Sequence, residues 1–200
     1  IEQFFFDFHK KYTQSKKKPF EIVIKSIQEN TPPINLEPSL ISFFSISYPF
    51  TDLAELGAAN LKEARNTHAK LFVHLYPKTS IEGFKYPIDL TERRPHRVGV
   101  VFLDLNDLSI EKHKVSIAHE ISHALGAKDL FDRKGQADIP RGLADPNQRP
   151  LYPQAKGALM SRVLAVTATE FKPIESLDQA SISPYTAKLL GWTEATKPKN

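Results

Sequence analysis

The stretch SIEKHKVSIAHEISHALGAKD, residues 109–129, sets the rest of the chain in order. It reads as a long helix from about Ser109 to Leu125 that stops at Gly126, a residue able to take the left-handed conformation that ends a helix and turns the chain back. Residues four apart on a helix project from one face, so His119 and His123 can each bring a ring nitrogen to about 2.0 Å from one zinc ion. Glu120 lies beside the first histidine and faces the rim of the same cavity. There it can take a proton from a water that the metal activates, while it is poorly placed to ligate. Asp129 follows three residues after Gly126, and the reversal can carry it back beneath the metal as an oxygen ligand. Two imidazoles and a carboxylate leave the fourth position of a tetrahedral zinc open, which distinguishes a catalytic site from a structural one. Asp132, or a distant carboxylate such as Glu170, is the alternative third ligand.

The remainder of the chain is consistent with such a site. Its 200 residues, 40% hydrophobic and 25% charged, suit one generous domain or two very small ones and can bury a real core. No apolar run approaches the roughly 20 residues that cross a bilayer. The absence of cysteine excludes disulfides, thiolate ligands and thiol nucleophiles, and leaves chemistry to N and O donors. Net charge is +4 with a pI near 9.1. The one dense basic run, Lys16-Lys17-Lys18 with Lys10 and Lys11 upstream, has neither interleaved aromatics nor a binding motif, so it reads as a solvated helix end and loop and no nucleic-acid partner is expected. The first residue is Ile1 rather than Met, which fits a processed or trimmed form.

Along the chain, Ile1, Phe4, Phe5, Phe8 and Tyr12 fall at helical spacing and predict an amphipathic helix over 1–14 with a buried aromatic stripe. A strand is expected over 20–27, a break at Thr31-Pro32-Pro33, a strand over 40–48, and a helix over 52–67 capped by Thr51 or Asp52. Strands over 71–76 and 97–105 flank a weaker extended segment, 84–90, which Pro87 consigns to a sheet edge. Beyond the helix ending at Gly126 the chain reads mostly as loop until a last helix over 177–190. The first half is thus α/β in character.

With Gly126 and Asp129 in register, the array His119-Glu120-x-x-His123-x-x-Gly126-x-x-Asp129 resembles the metzincin clan of zinc metalloproteases, in the snapalysin-like variant where aspartate replaces the usual third histidine. Gly157-Ala158-Leu159-Met160-Ser161, which contains the sole methionine of the chain, looks like the methionine-containing turn that these enzymes carry beneath the metal. The specific match covers 119–129 and 157–161. A looser match in the order of elements covers 38–192.

The resemblance implies an α/β (α+β) fold: a mixed twisted sheet backed by two helices, the zinc helix at the floor of a cleft, and an irregular C-terminal subdomain ending in a helix. The catalytic domain would span 38–200, divided near 126/127, with 1–37 as an N-terminal extension of helix and strand. It further implies a zinc endopeptidase with one catalytic ion, Glu120 as general base and a peptide or protein substrate laid along an edge strand such as 84–90. A monomer acting outside the cytoplasm, secreted or periplasmic, is expected. Calcium is not indicated. Asp129 in place of a third histidine adds a negative charge, making the zinc a weaker Lewis acid and placing more of the work on Glu120.

Tyr152 and Tyr185 are candidates to stabilise the oxyanion, although a packed or solvent-tipped tyrosine is the commoner outcome. His9, His68, His74, His96 and His113 belong to no motif. Two other readings stand beside the peptidase: a non-catalytic zinc-binding or adhesion module, which would not need Glu120, and a gluzincin-type peptidase with Glu170 as ligand. Peptide deformylase shares the two-histidine motif but takes a cysteine ligand, which this chain lacks.

Overall fold

The computed structural model describes residues 1–23, 70–76, 90–92, 98–104, 109–131 and 136–193. The elements expected at 40–48 and 52–67, most of 84–90, and Asp132 lie outside them. The described chain mixes α and β structure and clusters into two compact units. One contains residues 1–22, 109–122 and 126–200; the other contains 23–108 with 123–125.

The second unit carries a three-stranded sheet of β1 (Lys70–Tyr76), β2 (Leu90–Glu92) and β3 (Val98–Asp104), in the order β1-β3-β2. β3 runs parallel to β1, from Lys70 opposite Val98 to Tyr76 opposite Asp104, and antiparallel to β2. The near-continuous apolar run of β3 suits a central strand, and its Val101 and Leu103 are buried. The strands predicted at 71–76 and 97–105 are therefore present. β2 lies at an edge.

In the first unit, helix α1 (Glu2–Thr13) turns its predicted aromatic stripe onto a core that includes Met160, Ile182 and Trp192. Phe5 is completely buried, with its ring centroid 5.0 Å from Phe20 and 6.3 Å from Trp192. Lys10 and Lys11 sit in the last turn, where positive charge complements the helix dipole. The strand predicted from residue 20 does not begin there: residues 20–23 are irregular. The physical reason is local, since the Ile22 amide is taken by Glu2 Oε1 at 2.6 Å and Phe20 is drawn onto Phe5.

Helix α2 (Ile110–Leu125) matches its prediction closely. The region after it is more ordered than its composition suggested. Four short strands, β4 (Gly157–Ala158), β5 (Val163–Ala165), β6 (Phe171–Pro173) and β7 (Ala180–Ser181), form a mixed sheet in the order β6-β5-β4-β7. Between β4 and β5 lies a 3₁₀ turn, Leu159–Ser161. The helix predicted over 177–190 is divided. Leu177–Gln179 forms a 3₁₀ turn, β7 follows, and only Pro184–Leu189 is α-helical (α3). Pro184 cannot extend a helix from its N-terminal side, whereas Ser183 caps a new one by accepting from the Thr186 amide at 3.1 Å.

Tyr12 ties α1 to the rest of this unit by donating its hydroxyl to the Ile182 carbonyl at 2.9 Å. Burial, with a smaller contribution from the Asp145 charge, pushes the phenol from 10.0 up to about 12. The unfolded chain releases this proton near the ordinary value, so the stability linked to it is complete below pH 10.0 and is lost as pH rises toward about 12. Urea unfolding across that window is expected to show the decline in the native chain and to show it flattened in Tyr12→Phe.

Candidate metal centre

The end of α2 builds the site. Gly126 adopts φ +115°, a value that strains any residue with a Cβ. The Ala127 amide then donates to the Ser122 carbonyl at 2.9 Å, the six-to-one bond of a Schellman closure, and satisfies a carbonyl the helix would leave open. The reversal continues to Leu130, whose amide donates to the Met160 carbonyl at 2.9 Å. Asp129 is thereby returned to the face of α2 that presents His119 and His123.

Ligand atoms of His119, His123 and Asp129 lie within 4.8 Å of one another. His119 and His123 are buried, and the Asp129 side chain is 40% exposed, so solvent reaches one side of the group. His119 Nδ1 lies 3.1 Å from the Leu159 carbonyl. A carbonyl only accepts, so Nδ1 carries the proton of that hydrogen bond and Nε2 is the ring nitrogen turned toward the group. Asp129 Oδ1 stands 3.2 Å from Nε2. Two lone pairs at that distance need a cation between or beside them, either a proton or a metal ion. The third donor, His123, fits a metal. Two ligands about 2.0–2.1 Å from a tetrahedral ion are about 3.3 Å apart, close to the observed separation. The group can hold a metal ion, with His119 oriented from behind in the manner usual for metal-bound imidazoles. The His119 ring also stacks against Phe131, centroids 6.5 Å apart and planes 22° from parallel.

Met160 is completely buried within the 3₁₀ turn Leu159–Ser161. Its contribution to the site comes through the backbone: successive carbonyls of this turn hold the His119 ring and the Leu130 amide. Glu120 is 2% exposed, and its Oε1 lies 3.9 Å from His119 Nε2, at the rim of the group. The same oxygen accepts from Arg162 Nη2 at 3.0 Å.

Arg162 escaped the sequence reading. Its only signal was its place two residues after Met160, and no periodicity connects residue 162 with residue 120. Tyr185 lies in α3, its ring 5.8 Å from the Arg141 guanidinium carbon, and Tyr152 sits half-buried in a loop. Glu170 is exposed in the β5–β6 connection, where its carbonyl accepts from Val166 and Thr167, and it does not join the three ligands. No helix among the described residues is long and apolar enough to cross a membrane. Comparison with protein-family models, with curated proteins and with solved structures finds no match to the chain.

Proposed function

We propose that the chain is a zinc-dependent endopeptidase of metzincin type, with His119, His123 and Asp129 as metal ligands and Glu120 as general base. The observation that carries this reading is the pairing of a ligand group, its members within 4.8 Å of one another, with a buried carboxylate that stands at its rim without belonging to it. When bound there, zinc supplies Lewis acidity to a water and to the scissile carbonyl. Glu120 takes the proton of the attacking water and returns it to the leaving amine, the two-way transfer that a carboxylate within hydrogen-bond reach can perform. The Leu159 carbonyl keeps His119 in one tautomer and one orientation throughout. The exposed side of Asp129 is the approach from solvent.

A second reading has one observation in its favour. The ion pair of Glu120 with Arg162 gives the carboxylate a structural partner, as a zinc-binding module without turnover could also have.

Metal analysis together with hydrolysis of an unfolded protein such as casein separates the two. The peptidase is expected to bind one zinc per chain, to lose hydrolysis when a chelator strips the ion, and to regain it when zinc is restored. Zinc bound without hydrolysis of any of a broad panel of unfolded substrates supports the module instead, and no zinc bound overturns both.

A further inference from the structure

We infer that Arg162 is a positioning residue for Glu120, an inference that rests on the peptidase reading. The guanidinium acts from a fixed platform. The Arg162 amide donates to the Ala158 and Leu159 carbonyls at 3.1 and 3.2 Å, and its own carbonyl accepts from the Ile174 amide at 3.1 Å. The backbone between them takes φ 57°, the left-handed region, where glycine would sit without strain. An arginine at such a position is held there against its conformational preference, and strain of this kind gathers where a side chain is needed in one place. From here Nη2 reaches Glu120 Oε1 at 3.0 Å across 42 residues of sequence.

A general base needs this help. Proton transfer requires a carboxylate oxygen within about 2.6–3.2 Å of the atom that bears the proton, and a glutamate side chain left to its own rotamers spends time elsewhere. Arginine is suited to the task because its guanidinium stays charged and donates through Nη2 to one carboxylate oxygen, a charge-assisted bond that limits where that oxygen can go. The Leu159–Ser161 turn and the residue that caps it therefore serve both partners of the reaction. The turn's carbonyls hold the His119 ring and the amide of Leu130, next to Asp129, while the capping residue sets the base.

Arg162→Gly tests the inference: glycine relieves the left-handed strain, and the space left by the arginine side chain, 37% exposed, admits water to the Glu120 carboxylate, which at 2% exposure would otherwise lose its partner at a cost in stability. The variant is expected to keep its zinc and to lose about ten- to a hundredfold in kcat, with KM for casein within about twofold of native. Millimolar ethylguanidinium is expected to restore several-fold of the lost kcat, and ethylammonium to restore less. In the metal-free chain, ethylguanidinium is expected to raise the melting temperature of Arg162→Gly and to leave Arg162→Gly/Glu120→Gln unmoved.

Unchanged kcat overturns the inference, as does a rise in KM with kcat intact, which would make Arg162 a substrate contact. Failure of ethylguanidinium either to rescue or to bind also overturns it. If the native chain hydrolyses nothing, the peptidase reading falls and takes the inference with it, and that failure is recognised because it appears before any substitution is made.

Discussion

Glu120→Gln is expected to keep its zinc and to lose about two to four orders of magnitude in kcat for casein. The substitution changes little else. Glutamine has the same length and still offers Arg162 an acceptor, so the 3.0 Å contact can persist in neutral form. Glu120 lies outside the His119-His123-Asp129 group, with its Oε1 3.9 Å from His119 Nε2, so removing its charge is expected to leave the donor set intact. What is lost is the capacity to accept a proton, because an amide is no base at neutral pH. Arg162 loses its anionic partner, but the side chain is 37% exposed and water can solvate it. Metal analysis and the kinetics of casein hydrolysis on the same preparation provide the check. Equal zinc with equal turnover would remove Glu120 from the mechanism. Loss of zinc along with activity would show that its role lies in holding the ion.

The second large effect is expected far away in sequence. Phe5→Ala should destabilise the chain by about 3–5 kcal/mol, measured by urea unfolding. Phe5 has no exposed surface, and its ring meets Phe4, Phe20 and Trp192 edge-on, contacts that carry energy beyond the area they bury. Alanine leaves a cavity bounded by α1 on one side and by Trp192, which is only 8% exposed, on the other. The residues that could collapse into the space are themselves tied down, Tyr12 by its bond to the Ile182 carbonyl and Trp192 by its amide, which donates to Ala187. α1 shares its core with Val115 and Ala118 of α2, so the loss is expected to reach the helix that carries His119. A change below about 1 kcal/mol would mean that α1 is a detachable extension.

Legibility in the sequence followed the length over which a pattern could repeat. α1 and α2 each present several turns of apolar periodicity, and Gly126 marks the stop of α2 by a requirement no other residue meets as easily. β3 is a near-continuous apolar run and was equally plain. The strands after residue 157 have two or three residues each, too few for an alternation to register, and so that region read as loop. Within 177–190, apolar spacing outweighed Pro184 in the reading, whereas in the folded chain the missing amide prevailed.

The three candidate ligands follow the same logic. His119, His123 and Asp129 are within one helix and one turn of each other, so local geometry alone could assemble them. The hydrogen bonds behind them come from carbonyls at 159 and 160 and from the side chain at 162, which only tertiary folding brings near. Spacing can reveal which residues would hold an ion. It cannot reveal what holds those residues.

Those two consecutive carbonyls, Leu159 on the His119 ring and Met160 on the Leu130 amide, also bear on the order of events in the protein's life. In small zinc modules the ion is itself the core, and the chain unravels without it. Here the His119 ring and the chain reversal beside Asp129 are held by peptide groups of a turn that is buried among apolar side chains. The expected consequence is that assembly does not wait for a cation: stripping any bound ion should leave the scaffold folded, and restoring it should refill the same place.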